Sequence, residues 1–254
     1  MNTKELTGQI NYQSKERLIL NEVLLNGDKG YLRKRVWVGR TKADEMEKPQ
    51  EVELGQTANV IFLKIRRKLV ERGGKGEIAR ASGEHNTVND AITIYENREE
   101  VFNGPAKEAR KRYEGLRTVQ IIYALLSMPV SEPELVRVTV KGASLGSDSK
   151  AEGVFDFYQY LGSFGDDPIC DFVTKLGVVQ EHGMKDYYAM TFERGEKVPE
   201  RLRPLVMEKL QLVHDYAMKY DAGKIETVKE VEARESGDVI AYPDDEPNPE
   251  DIPF

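Results

Sequence analysis

The sequence predicts a mainly β chain of the α+β class, with a few helices inserted among its strands, a long C-terminal helix and a disordered acidic tail. Three observations point there. Short segments with apolar–polar alternation and β-branched or aromatic residues recur between residues 5 and 193. One stretch, 199–221, carries instead a helical stripe through Leu202, Leu205, Val206, Leu210, Val213, Ala217 and Tyr220. The charge, finally, is split along the chain: residues 226–254 hold ten acids and two bases, so most of the net −7 belongs to the end.

The elements follow from these patterns. Strands are expected at 5–12, 17–25, 30–38, 58–69, 90–95, 134–141, 169–176 and 186–193. Helices are expected at 105–115, which is Ala-rich and charged, at 153–161, which is aromatic-rich, and at 199–221. Pro199 suits an N-terminal turn, and Pro204 places the start of the regular helix near itself. The segment 117–126, RTVQIIYALL, can be read as a buried strand or as a helix continuing from 105. The turn-rich MPVSEP and the clear strand after it favour a strand in a hairpin.

The 254 residues suit one elaborated domain, or a domain with an appendage. The division falls near residue 222: a body at 1–222 and a tail at 223–254 that is Pro-rich and acidic from Gly237 onward, with little to bury. Taken whole, the charge argues against a polyanionic partner. Residues 1–225 alone carry +1, and the argument lapses.

Several chemistries find no support. The single Cys170 forms no internal disulfide or Cys pair and reads as a packed thiol, while His85, His182 and His214 lack metal-ligand spacing. The glycines of GGKG lack the spacing of a phosphate loop, and neither GxSxG nor HExxH occurs. No apolar run reaches the roughly 18 residues that span a bilayer. A cytoplasmic, non-catalytic binding protein without metal or cofactor is the expectation. A nuclease or recombinase would need carboxylates brought together only by folding.

Two segments carry a binding signal. In YLRKRVWV, residues 31–38, the two-residue period puts Leu32, Lys34, Val36 and Val38 on one face and Tyr31, Arg33, Arg35 and Trp37 on the other. Aromatic rings that stack bases and guanidiniums that pair with phosphates are what single-stranded nucleic acid requires. A face covered by a loop or a partner subunit is the competing reading. In VIFLKIRRKL, residues 60–69, Ile61, Leu63, Ile65 and Leu69 would face inward and Phe62, Lys64, Arg66 and Lys68 outward. Arg72, Lys75 and Arg80 follow, and residues 64–80 hold seven bases against two acids. Lys107, Arg110, Lys111, Arg112 and Arg117 form another basic stretch. Such patches on a near-neutral body favour a phosphate backbone, because each neutralised phosphate releases counterions.

The chain closes on Asp244-Asp245-Glu246-Pro247-Asn248-Pro249-Glu250-Asp251-Ile252-Pro253-Phe254. This resembles the C-terminal tip of bacterial single-stranded-DNA-binding proteins, an acidic run ending in Asp-Ile-Pro-Phe. Such a four-residue match arises by chance on the order of once in 10⁵. Pro253 stiffens the end, Ile252 and Phe254 offer apolar knobs, and the acids seek a basic rim, so the peptide can fill a small pocket on another protein. The resemblance covers the tail. It implies that Asp251, Ile252, Pro253 and Phe254 recruit replication, recombination or repair proteins and compete weakly with DNA for the protein's own basic surface. The body, with its many short strands, an insertion helix and basic-aromatic faces, resembles a phage- or plasmid-type single-stranded-DNA-binding protein, which implies an elaborated OB-fold-like barrel with helical insertions. DNA contacts are then expected at Tyr31, Arg33, Arg35, Trp37, Phe62, Lys64, Arg66, Lys68, Arg72 and Lys75. An adaptor that occupies host pockets with the tip, without binding DNA, is the alternative function.

Overall fold

The computed structural model describes residues 18, 20–36, 50–74, 77–97, 99–127, 132–146, 155–182 and 186–221. The expected strand at 5–12, the ends of two others, Trp37, Lys75 and the tail lie outside them.

Eleven strands form one sheet. In chain order they are β1 (Asn21–Asn26), β2 (Tyr31–Val36), β3 (Gln50–Gly55), β4 (Thr57–Arg72), β5 (Ile78–Ser82), β6 (Ala91–Glu96), β7 (Glu99–Pro105), β8 (Arg117–Leu126), β9 (Glu134–Val140), β10 (Phe172–Glu181) and β11 (Tyr187–Lys197). Among the described residues three α-helices accompany them: α1 (Ala106–Arg112), α2 (Phe157–Gly162) and α3 (Arg203–Asp221). The segment 117–126 is a strand, paired along its whole length with β4 and from Gln120 onward with β9. Three strands escaped the pattern reading. β3 and β7 are rich in Glu, and β5 has small residues where an apolar stripe would be.

The spatial order is β3-β2-β1-β9-β8-β4-β5-β6-β7, with β10 and β11 branching from β4. The sixteen-residue β4 organises the whole. One edge is taken by β8, while its other edge holds β10 at Thr57–Val60 and β5 at Val70–Arg72. The expected mainly β architecture is present, but the expected barrel is not: the sheet is open, and no ladder joins its ends among the described residues. The sheet does curl. Gly30, at φ +68 in the β1–β2 turn, lies so close to β11 that a Cβ there would meet the Tyr188 ring at 2.5 Å. Only glycine fits that approach and that backbone.

The two faces of the sheet are buried differently. On the inner face Val60, Phe62, Val138 and Leu176 pack with Phe192 and with Phe157 and Tyr160 of α2. Asp156 caps α2 by accepting the Gln159 amide at 2.9 Å. On the outer face Ile61, Leu63, Ile121 and Leu125 lie beneath Val206 and Val213 of α3, which begins at Arg203, beside Pro204. A smaller cluster joins Leu69, Ile92 and Ile94 to Ala106 and Ala109 of α1.

Candidate nucleic-acid interface

Cross-strand partners share a face of the sheet, so the register decides which side chains meet. In β4 the pairing jumps from Phe62↔Ala124 to Lys64↔Tyr123, leaving Leu63 as the extra residue of a bulge. This corrects the expected face of Phe62. It is fully buried on the inner face, edge-on to Tyr160 and Phe192, and cannot stack a base. Beyond the bulge the alternation resumes. Lys64, Arg66, Lys68 and Arg72 do share one face, the outer one, as the two-residue period requires.

The β2 platform needs a larger correction. Tyr31, Arg33 and Arg35 do lie opposite Leu32, but Arg33 and Arg35 are buried and Tyr31 is half-buried. Register lines up Glu51, Arg35, Glu22, Arg137, Tyr123 and Lys64 across β3, β2, β1, β9, β8 and β4. Within that row Arg35 is 3.9 Å from Glu22 and 3.7 Å from Glu51, and Arg137 is 3.2 Å from Glu22. Arg33 grips Glu51 with both oxygens at 2.9 Å, and Lys34, on the inner face, reaches Glu134 at 2.8 Å. These cations hold strands together. A phosphate could take them only by displacing carboxylates already in place.

Arg66 is also not an outward cation. Its side chain is fully buried. Nη2 donates to Asp221 Oδ1 at 2.5 Å and to the Glu84 carbonyl at 2.9 Å, Nη1 donates to Asp221 Oδ2 at 3.0 Å, and Nε lies 3.3 Å from Glu84. Burial disfavours its charge, but Asp221 and Glu84 outweigh that and raise its pKa. Tyr123 donates to Glu84 at 2.9 Å, and the Glu84 amide donates to the Tyr220 hydroxyl at 3.0 Å. Burial first, then the Glu84 charge, pushes both phenols up, so they remain protonated donors and acceptors at neutral pH. Asp221 is disfavoured by partial burial, yet the Arg66 bonds and charge and Asn86 hold its carboxyl below the usual range. This node pins the last turn of α3 to β4.

The outer face of β4 continues on both sides of that node. Lys64, Lys68 and Arg72 are half-buried at every fourth position of β4. Register places Arg117 of β8 beside Val70, Val70 beside Ala81 of β5, and Ala81 beside Tyr95 of β6. The row spans about 14 Å at the spacing of paired strands. Arg117 is exposed, and its guanidinium donates to the Glu114 carbonyl at 2.6 Å. A half-buried tyrosine thus stands in one row with an arginine, flanked by two more cations. The sequence reading missed Tyr95 and Arg117 as members because only strand register brings them to β4. It missed the counterions Glu22, Glu51 and Asp221 for the same reason.

Among the described residues no three His, Cys, Asp or Glu side chains are placed to hold a metal ion, and no helix is long and apolar enough to cross a membrane. Cys170 is half-buried, and burial, then the charge of Asp171, pushes its thiol up. None of the protein-family models, curated proteins or solved structures compared with the chain matches it.

Proposed function

We propose that this protein is a non-catalytic single-stranded-DNA-binding protein with little sequence preference, and that residues Asp251, Ile252, Pro253 and Phe254 dock replication, recombination or repair proteins. One observation carries the DNA half of the reading: Lys64, Lys68 and Arg72 align on one face of β4, with Arg117 and Tyr95 in register on its neighbours. Cations four residues apart on one face of a strand, about 13 Å, can track a phosphate backbone, and a ring among them stacks a base for about 1–3 kcal/mol. On β2, where contacts were expected, the arginines pair with carboxylates of neighbouring strands.

The test is a titration of the full chain with an oligo-dT of about thirty nucleotides, at several salt concentrations, against duplex and RNA competitors. Binding should fall steeply with salt. Lys64→Ala, Lys68→Ala and Arg72→Ala together should flatten the slope of log K against log salt by about two, at ~0.7 per single-strand phosphate. No binding at low salt, or equal affinity for duplex, sinks the reading. Removing Phe254 should keep DNA binding while abolishing capture of host replication and repair proteins; if DNA binding is lost too, tail and body are not separate parts. An adaptor that binds no DNA is the outcome if oligonucleotide binding is absent while capture persists.

A further inference from the structure

We infer that α1 is a second phosphate-backbone contact, separate from the β4 face, so that a long single strand is held at two places. The inference rests on the proposed function above and extends it to a surface that the β4 face does not include.

The helix is short and two-sided. Ala106 and Ala109 are buried against Leu69, Ile92, Ile94 and Leu116. Lys107, Arg110, Lys111 and Arg112 are all exposed. Lys111 pairs with Glu108 at 3.2 Å, the sole acid of the helix. Lys107, Arg110 and Arg112 have no carboxylate partner among the described residues. That is the reverse of β2, where Arg33, Lys34 and Arg35 each have one. The helix dipole accounts for cations in the last turn, where carbonyls are unsatisfied, and so for Arg110, Lys111 and Arg112. It does not account for Lys107. That residue sits in the first turn, at the positive end, where a cation is disfavoured.

The helix is also held ready. The Ala106 amide donates to the Asp90 carbonyl at 3.0 Å and the Lys107 amide to the Val88 carbonyl at 2.8 Å, which fixes its start. At its end the Tyr113 hydroxyl donates to the Val101 carbonyl at 3.0 Å, and the Arg80 guanidinium lies 4.8 Å over the Tyr113 ring, with that of Arg112 at 5.4 Å. A ligand meeting this surface finds its cations on an ordered support and loses little entropy ordering it.

The two surfaces are joined by the chain. Leu69 faces α1, whereas Lys68 and Val70 face the other side of the sheet. Arg117 follows Arg112 by five positions, at most about 18 Å of chain, and lies in register beside Val70. A strand lying along β4 can therefore turn at Arg117 around the end of β8 and continue onto α1. The ligand is a flexible phosphodiester backbone, read without regard to sequence. A stiff duplex cannot make that turn.

The experiment uses the full chain and a K107A/R110A/R112A variant, each titrated with oligo-dT of about ten and about thirty nucleotides across a salt series, bracketing one and two contact surfaces. Thermal melts first confirm that the variant, altered only at exposed side chains, folds as the parent does. The expected result is unchanged affinity for the short oligonucleotide, a loss of ten-fold or more for the long one, and a salt slope shallower by about two for the long one alone. Equal affinity of parent and variant for both lengths overturns the inference, and so does an equal loss at both lengths, which would make α1 part of a single site. If the parent binds neither oligonucleotide at low salt, the proposed function itself falls, a result distinct from either of those.

Discussion

Arg66 on β4 and Asp221 at the last turn of α3, 155 residues apart, form a two-bond ion pair at 2.5 and 3.0 Å. It closes the outer core over Ile121 and Tyr123.

Asp221→Asn should destabilise the protein by about 1–3 kcal/mol in urea unfolding, the range for a hydrogen bond to a charged group. The cost stays below that of a fully buried pair because Asp221 is a third exposed and Glu84 still faces Arg66. Amide exchange should quicken in the last turns of α3. In the parent the folded-state pKa of Asp221 is depressed, so the pair's contribution is present above the ordinary 3.8 and lost as pH falls through the lowered value. An unchanged urea midpoint would show that the pair holds nothing.

Phe62→Leu should lower stability by about 1–2 kcal/mol and leave oligonucleotide affinity intact at a temperature where the variant is folded, because the ring belongs to the inner core. A fall in affinity without a fall in stability would return Phe62 to the binding face.

Arg35→Gln should behave likewise, costing about 1–3 kcal/mol by leaving the buried Glu22 with Arg137 and Thr139 as its partners. Lys68→Ala should weaken DNA binding at every salt concentration, at a temperature where the variant is folded. Comparing the two variants by melt and titration separates a cation that binds strands of protein from one that binds a strand of DNA.

His85 is buried, and burial, then the charges of Arg67 and Arg66, hold its pKa below the ordinary 6.5 against the Gly83 carbonyl and Asp90. The unfolded chain therefore takes up a proton first. The stability conferred by the neutral ring is complete above pH 6.5 and falls below it, by up to about 1.4 kcal/mol per pH unit. His85→Gln should remove that slope between pH 6.5 and the folded-state pKa, whatever it does to stability at pH 8. An identical slope in the variant would assign the dependence to another group.

Gly30→Ala should cost about 2–4 kcal/mol, combining left-handed backbone strain with overlap on the Tyr188 ring. Gly142→Ala is the control. Its φ is +56 with open space around the added carbon, so it should cost only the strain, about 1–2 kcal/mol. Equal losses would mean that the β1–β2 turn does not press on β11.

The sequence by itself determined the mainly β class, the start of α3 near Pro204 and the common face of Lys64, Arg66 and Lys68, and it favoured a strand at 117–126 that the pairing with β4 and β9 settled. These are local matters: the two- and 3.6-residue periods of buried side chains and the φ of proline are written in neighbouring residues. Tertiary structure alone decided what the neighbouring side chains and these cations meet. A one-residue bulge at Leu63 turned Phe62 inward. Glu51, Glu22 and Asp221 arrived from other strands and from the last helix to neutralise Arg33, Arg35 and Arg66. Arg117 and Tyr95 arrived by register to stand beside β4. Whether a charge binds a ligand or a neighbouring strand depends on what long-range pairing places within about 4 Å of it, and no local pattern encodes that distance.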